Sequence, residues 1–336
     1  MTEGRPPRPQ RRLKTWSSLG QLGRMPSEYE IVTHGLNYTT RPGRTTALES
    51  NPTTPANMWL LTYRDSSPLR ADDWLGFRDP DQITYRKYVT MQDEQETVVA
   101  GILDEYDSAG HDASLPGPWV DCLAALFTPT RFPVHALQMC TAYLGYMAPS
   151  SYISNCAVFG AGDLLRQVSL VAYRTRQLAE ATASSIGRAE RAVWERNEAW
   201  QPAREALEKL LTAYDWGECF TAMNLVLRPT LGHILLRQLA DAARDYDDDL
   251  TWLLLGNLAV DADRCTRWST ALARYAIEQR AGNQDVLRRW VARWTPRAEA
   301  AAAGLGQLLS AGRPADAVAQ AANSARRGVL NEAGLA

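Results

Sequence analysis

Histidine is scarce in this sequence, and the four present are His34, His111, His135 and His233. A nucleophilic triad needs a general base beside its Ser or Cys, and no Ser or Cys stands in the turn that exposes such a nucleophile. Two Gly-x-Gly stretches, at 160–162 and 304–306, follow no predicted strand and lack a phosphate-binding pattern. We therefore expect no catalytic and no cofactor-binding residue in this chain, and we interpret both glycine pairs as close helix contacts or bends.

Cysteine is also sparse, and the five residues are isolated and never form a CxxC pair: Cys122, Cys140, Cys156, Cys219 and Cys265. An odd number of separated cysteines is typical of free, buried thiols in a reducing cytoplasm. The longest apolar stretches, such as 252–255, are far shorter than the about 18 residues of a transmembrane helix. We expect no signal peptide, because the basic start is not followed by an apolar run. The net charge of -2 indicates no affinity for nucleic acid or anionic membranes.

Beyond residue 60, strand signals are nearly absent and apolar residues recur with helical spacing. Acidic residues next to proline mark one helix start at 79–81, and the acidic run 247–249 marks another. We predict helices at about 85–106, 116–128, 131–147, 151–182, 188–200, 202–244, 247–281, 284–293, 295–311 and 314–326. Several exceed about 25 residues, twice the usual length. The pattern predicts an all-α, long-helix bundle.

Residues 1–60 have no helical period and are rich in Gly, Pro and Thr. We interpret them as an extended N-terminal arm, followed by a helical domain at 61–312 and a C-terminal helix and tail at 313–336. The first fourteen residues combine prolines with the basic residues Arg5, Arg8, Arg11, Arg12 and Lys14. This start is either a solvated tail or a basic segment that docks on a partner.

A direct test for carboxylate-bridged iron is possible, because a helical di-iron site needs two Glu-x-x-His pairs and one Glu from each of two further helices. The residues three positions before the four histidines are Ile31, Ser108, Phe132 and Thr230. None of them is acidic, so the motif is absent. No acid occurs at 128–138 or at 219–233 either, the windows about thirty residues before the two acid-x-x-base pairs described next. We predict no metal ligand in this chain.

Two acid-x-x-base pairs nevertheless lie in the long predicted helices, Asp163/Arg166 in one and Asp261/Arg264 in the other. They are either ordinary exposed pairs, worth a few tenths of a kcal/mol each, or charges embedded among apolar residues that must be paired to be tolerated. The pattern alone does not choose between these two interpretations.

Nine short stretches, in order along the chain, resemble the small, ferritin-like (ribonucleotide-reductase-like) β subunit of the four-component toluene and alkene monooxygenases. They are TWSSL at 15–19, PSEYEIV at 26–32, DPDQ at 79–82, MQD at 91–93, MAP at 147–149, ISNC at 153–156, AYRT at 172–175, AYDWGE at 213–218 and RWS at 267–269. The resemblance covers residues 15 to about 300.

The resemblance implies a hydroxylase assembled as a dimer of α-β-γ protomers, cytoplasmic, in which the α subunit holds the di-iron centre and oxidises a hydrocarbon with O2. It also implies an NADH- and FAD-dependent reductase, a Rieske ferredoxin that carries an Fe–S cluster, and an effector protein. The β subunit would share the α fold, carry no metal and act as a scaffold. The positions of Asp163, Arg166, Asp261 and Arg264 would then be those of lost iron ligands.

Two other functions are weighed at this stage: a catalytically competent di-iron or other metal protein, and a free-standing helical carrier of an apolar ligand. The missing ligands argue against the first, and the long arm argues against the second. The substrate of the assembly is not specified, because toluene, benzene, alkenes and isoprene would all be selected by the α subunit.

Overall fold

A computed structural model describes residues 19, 24–40, 54–309 and 313–336. Throughout these ranges the regular structure is helical, which confirms the all-α prediction. The basic start of the predicted arm lies outside the described residues. The helices are α1 (Glu28–Thr33), α2 (Pro55–Leu60), α3 (Tyr85–Ser108), α4 (Gly117–Cys122), α5 (Arg131–Met147), α6 (Ser151–Ala181), α7 (Glu190–Arg196), α8 (Gln201–Leu210), α9 (Trp216–Asp245), α10 (Asp249–Gln279), α11 (Gly282–Leu308) and α12 (Ala315–Glu332).

Two helical hairpins form the centre of the bundle. In one, α5 ends at Met147, and Pro149 keeps the preceding backbone extended until α6 begins at Ser151. In the other, α9 and α10 are joined by a three-residue turn whose last residue, Asp248, caps α10. The hairpins meet through α6 with α10 and α5 with α9, while α3 packs on α10 and α11 packs on α8 and α12. Most large apolar side chains are buried at these contacts.

Helix α9 is long and apolar enough to cross a membrane, but 78% of its apolar window is buried inside the protein. Two wide π-helical stretches interrupt it, at Thr221–Leu227 and His233–Gln238. Such stretches are often found at functional sites. Because its apolar window is buried and it packs on α5 and α10, we interpret α9 as a core helix and not as a membrane span.

Some predicted helix boundaries are wrong. The predicted helix 202–244 is two helices, because Asp215 caps a new start at α9 and accepts the N–H groups of Gly217 and Glu218. The predicted helices 284–293 and 295–311 are one helix, α11, with Pro296 inside it. Proline removes one helical hydrogen bond, and burial of Trp294 and the alanines that follow it keeps the helix continuous.

The segment 1–60 is less extended than the sequence suggested, because α1 and α2 lie within it. Ser27 and Glu30 form a reciprocal capping box at the start of α1. Tyr29 is buried against Tyr152 of α6, with ring centroids 5.5 Å apart. Arg78 binds the Glu30 carboxylate at 3.0 Å. Part of the predicted arm therefore packs on the chain's own bundle.

Asp248 is a buried cap with three partners. It is fully buried, accepts the Trp119 indole N–H at 2.8 Å and the Thr251 backbone N–H at 2.9 Å, and contacts His111 Nε2 at 3.0 Å. Burial alone would raise the pKa of Asp248, but the hydrogen bonds from His111, Thr251 and Trp119 outweigh it and lower the pKa below its ordinary value.

Replacing Asp248 should destabilise the bundle strongly. Asp248→Ala removes the cap of α10 and leaves a buried indole N–H without an acceptor, so the free energy of unfolding should fall by about 3 kcal/mol or more. Urea denaturation followed by far-UV circular dichroism measures this. Asp249→Ala, at the exposed neighbouring position, is the matched control and should change little; equal losses in both variants would contradict the argument.

The contact with Asp248 should also make stability depend on pH through His111. The hydrogen bond to Asp248 raises the pKa of His111 above its ordinary 6.5. The stabilisation is therefore complete below that value and is lost as the pH rises through the folded pKa. The melting temperature should fall over this range more steeply in the native chain than in His111→Gln. If the melting temperatures of the native chain and of His111→Gln changed equally with pH, the pair of His111 and Asp248 would contribute no pH dependence.

Candidate functional site

The four sequence-predicted residues lie together in one buried charge network. Asp163 and Arg166 come from α6, and Asp261 and Arg264 come from α10. Their side chains are between 5% and 9% exposed. The interpretation as ordinary exposed pairs therefore does not describe them.

The ion pairs cross between the helices and are not confined to the i,i+3 spacing that the sequence shows. Arg264 Nη2 lies 2.6 Å from Asp163 Oδ1, and Arg166 Nη1 lies 3.0 Å from Asp261 Oδ2. Arg264 Nη1 also reaches Asp261 Oδ1 at 3.1 Å, within its own helix. Each guanidinium thus binds a carboxylate of the opposite helix, which joins α6 to α10.

Helix α3 supplies a third side of the network that the sequence did not predict. The Tyr88 hydroxyl donates to Asp163 at 3.0 Å. The Gln92 amide donates to both carboxylates, at 3.1 Å to Asp163 and 3.0 Å to Asp261. Gln95 donates to Asp261 at 3.3 Å, and Glu96 accepts from Arg166. Tyr88, Gln92 and Gln95 recur at i, i+4 and i+7, so a polar stripe on one face of α3 was the available signal.

A glycine makes the close approach of α3 possible. A Cβ on Gly162 would lie 2.5 Å from the Tyr88 hydroxyl oxygen, closer than any side chain tolerates. The Tyr88 ring stacks on Phe159 of α6, with centroids 4.5 Å apart. Gly162 therefore lies where α6 and α3 approach closely, as expected for the glycine pair at 160–162.

The electrostatics of the network follow from burial. Burial, together with the nearby Asp261, raises the pKa of Asp163 to about 6, although Arg264 opposes the shift. The two carboxylates in turn raise the pKa of Arg264 and keep it charged. Since the folded pKa of Asp163 lies above its ordinary 3.8, protonation of this group favours the folded state as the pH falls through about 6.

These residues do not fit an iron centre. Iron in a helical bundle needs carboxylate oxygens and imidazole nitrogens with free lone pairs. Here Asp163 Oδ1 accepts from Arg264 and Gln92, Asp261 Oδ2 accepts from Arg166, and guanidinium nitrogens have no lone pair to offer. Within the described ranges no three His, Cys, Asp or Glu side chains are grouped for a metal. The arrangement joins helices and neutralises charge.

Removing one arginine should show how strongly a buried carboxylate destabilises the fold when it has no cationic partner. Arg264→Met leaves Asp163 without a cationic partner, so the free energy of unfolding should fall by about 3–5 kcal/mol at neutral pH. Part of the loss should be recovered near pH 5, where Asp163 takes up a proton. Urea denaturation at both pH values measures this. Arg237→Met breaks the half-exposed pair with Asp263 and should cost less than about 1 kcal/mol; similar losses in the two variants would rule out the network as a stabilising element.

Comparison with known proteins places this chain in a family. Residues 59–280 match the family model described as Methane/Phenol/Alkene Hydroxylase. The toluene-4-monooxygenase hydroxylase component subunit beta of Ectopseudomonas mendocina is 39% identical over 299 residues, which cover 89% of this chain and 91% of that protein.

Two solved structures have the same fold as this chain. A chain in the structure of toluene 4-monooxygenase with toluene bound in its resting active site has a TM-score of 0.83 and 39% identity, over 92% of this chain and all of that chain. A chain of xenon-pressurised phenol hydroxylase from Pseudomonas sp. OX1 shares the fold, with a TM-score of 0.83 at 17% identity, over 99% of this chain and 98% of that chain. These likenesses confirm the predicted ferritin-like bundle. The chain belongs to the methane/phenol/alkene hydroxylase family.

Proposed function

We propose that this chain is the non-catalytic β subunit of a multicomponent hydrocarbon monooxygenase, and that it scaffolds a di-iron α subunit which inserts one atom of O2 into the substrate. The observation that carries the proposal is the pairing of Asp163 and Asp261 with Arg264 and Arg166. Two guanidinium groups here hold acids that would otherwise be available to a cation. The chain's likeness to a toluene monooxygenase β subunit supports the same role.

The four network residues are proposed to occupy degenerate iron-ligand positions. The pairs are 98 positions apart along the chain, each has i,i+3 spacing, and both lie in long helices of the central hairpins. A metal cation and an arginine both neutralise a buried carboxylate. Replacing the first by the second would preserve the helix packing while removing the chemistry, which is what a scaffold descended from an enzyme requires.

The surface of the bundle supports an assembly role. Large apolar side chains stand exposed on three helices: Tyr85 and Val89 on α3, Val158, Leu165 and Tyr173 on α6, and Trp252 and Val260 on α10. On α6 and α10 they recur at intervals of seven or eight residues, so each of these two helices presents them along one face. On α3 a further exposed residue, Val98, lies on the opposite side of the helix from Val89. A groove of about 640 Å³ between α3 and α6, bordered by Tyr173, adds to this surface. Exposed apolar faces of this kind mark protein interfaces.

The proposed partners are the α and γ subunits in an (αβγ)2 assembly, with an effector protein, a Rieske ferredoxin with its Fe–S cluster, and an NADH- and FAD-dependent reductase acting on the complex in the cytoplasm. Residues 1–60 are proposed to reach the α subunit as an arm, anchored to this chain by Tyr29. The alternative, a free-standing carrier of an apolar ligand, would leave the faces of α3, α6 and α10 in water. Gel filtration separates the two, because a carrier runs as a monomer alone.

Charges placed on the exposed face of α6 should weaken assembly. Val158→Asp combined with Leu165→Asp should leave the helical content unchanged and greatly reduce co-purification with the α subunit, because an interface core excludes unpaired charge. Hydroxylase activity should fall in proportion. Arg176→Ala, which removes only an exposed ion pair with Glu180 on the same helix, is the control. Full assembly and activity of the double variant would show that this face is not the interface.

The purified chain should bind no iron. Elemental analysis after refolding with excess ferrous iron, followed by desalting, is expected to give far less than one equivalent, since the carboxylates are already paired. The separately purified α subunit serves as the positive control. Stoichiometric iron that disappears in Asp163→Asn would contradict the proposal directly.

A further inference from the structure

A cavity of about 230 Å³ lies on the other side of α6 and α10 from α3, between these helices and α5 and α9. Its walls are mostly apolar and include Leu137, Leu164, Leu235 and Leu258. An apolar cavity of roughly 150 Å³ is large enough to bind benzene. The space therefore has room for a small organic molecule as well as for water.

One wall of the cavity carries polar groups without partners. Asn224 is 2% exposed, and within the described part of the chain neither its side-chain oxygen nor its nitrogen has a hydrogen-bond partner. The buried Nη1 of Arg228, one helical turn later, also has none. Both residues line the cavity. Asn224 lies in the π-helical stretch Thr221–Leu227, a distortion often found where a helix contributes to a site.

The unpartnered atoms of Asn224 and Arg228 need a particular combination of hydrogen-bond partners. Asn224 Oδ1 needs a donor, whereas Asn224 Nδ2 and Arg228 Nη1 need an acceptor. A hydroxyl group does both, because it donates one hydrogen bond and accepts two. A carboxylate would leave Oδ1 without a donor and would place its charge in a cavity that Asp163 and Asp261 also line. A hydrocarbon would satisfy none of the three atoms.

We propose that this cavity binds a small neutral molecule with an apolar body and one hydroxyl group, that is, an alcohol or a phenol. The leucine walls contact the body, and Asn224 and Arg228 bind the hydroxyl.

Arg237 and Asp263 also line the cavity and form an ion pair at 2.6 Å with both side chains about half exposed. The cavity therefore reaches solvent beside this pair, which gives a ligand a route in. The site does not depend on the scaffolding role.

Crystals of the protein, together with any subunits that co-purify with it, provide the test. Soaking with 4-bromophenol should give an anomalous bromine peak inside this cavity, at a position that distinguishes it from any site in another subunit. Bromobenzene and 4-bromobenzoate have the same apolar body without the hydroxyl, and at equal concentration both should give much weaker peaks. Ordered water on Asn224 and Arg228, with no bromine in the cavity after any soak, would overturn the proposal.

A matched pair of variants tests the role of the amide. Asn224→Leu keeps the shape and removes both polar atoms, so the concentration of 4-bromophenol needed for half occupancy should rise about tenfold, the effect of one lost hydrogen bond or two. Thr266→Val is the control, because Thr266 lines the cavity but its hydroxyl donates to Ala262 of its own helix. Equal binding of bromobenzene and 4-bromophenol, or equal effects of both variants, would show an apolar cavity that does not recognise the hydroxyl group. If a variant does not fold, the three soaks of the native protein still test the proposal.

Discussion

The organisation of this protein depends on how two buried carboxylates are neutralised. An acid inside a helical bundle is tolerated only with a partner that balances its charge and satisfies its oxygens. In this chain arginine does so across the α6–α10 contact, with Arg264 on Asp163 and Arg166 on Asp261. The two central hairpins are thereby held together by buried ion pairs. The contact between α6 and α10 and its expected dependence on pH both follow from this neutralisation.

The network also explains the placement of α3. Its polar stripe must face the carboxylates, because Tyr88 and Gln92 donate hydrogen bonds that the arginines alone do not supply. Close approach requires the missing side chain of Gly162. The same arrangement leaves apolar residues of α3, α6 and α10 pointing outward, where they suit a partner subunit. A single polar core thus orients the surface proposed for assembly.

The opposite side of α6 and α10 has a different character. There α5 and α9 contribute mostly apolar side chains, and Asn224 and Arg228, two residues that line the cavity, have buried polar atoms without a partner among the described residues. Asp163 and Asp261 of the network also line this space. The network joins helices through ion pairs, whereas Asn224 and Arg228 have hydrogen-bonding atoms that the described protein groups do not use.

The sequence by itself determined the helical class, the long central helices and the absence of the iron motif, because hydrophobic period, capping residues and i,i+3 spacing are local properties. It also singled out Asp163, Arg166, Asp261 and Arg264, since charges among apolar residues are visible in the chain. Only the tertiary structure decided that the ion pairs cross between helices, that Tyr88 and Gln92 complete them, and that Asn224 is buried without a partner. It also decided that Tyr29 packs on the bundle and that Pro296 remains inside a helix. Each of these depends on which side chains meet across distant segments, and a local pattern does not contain that information.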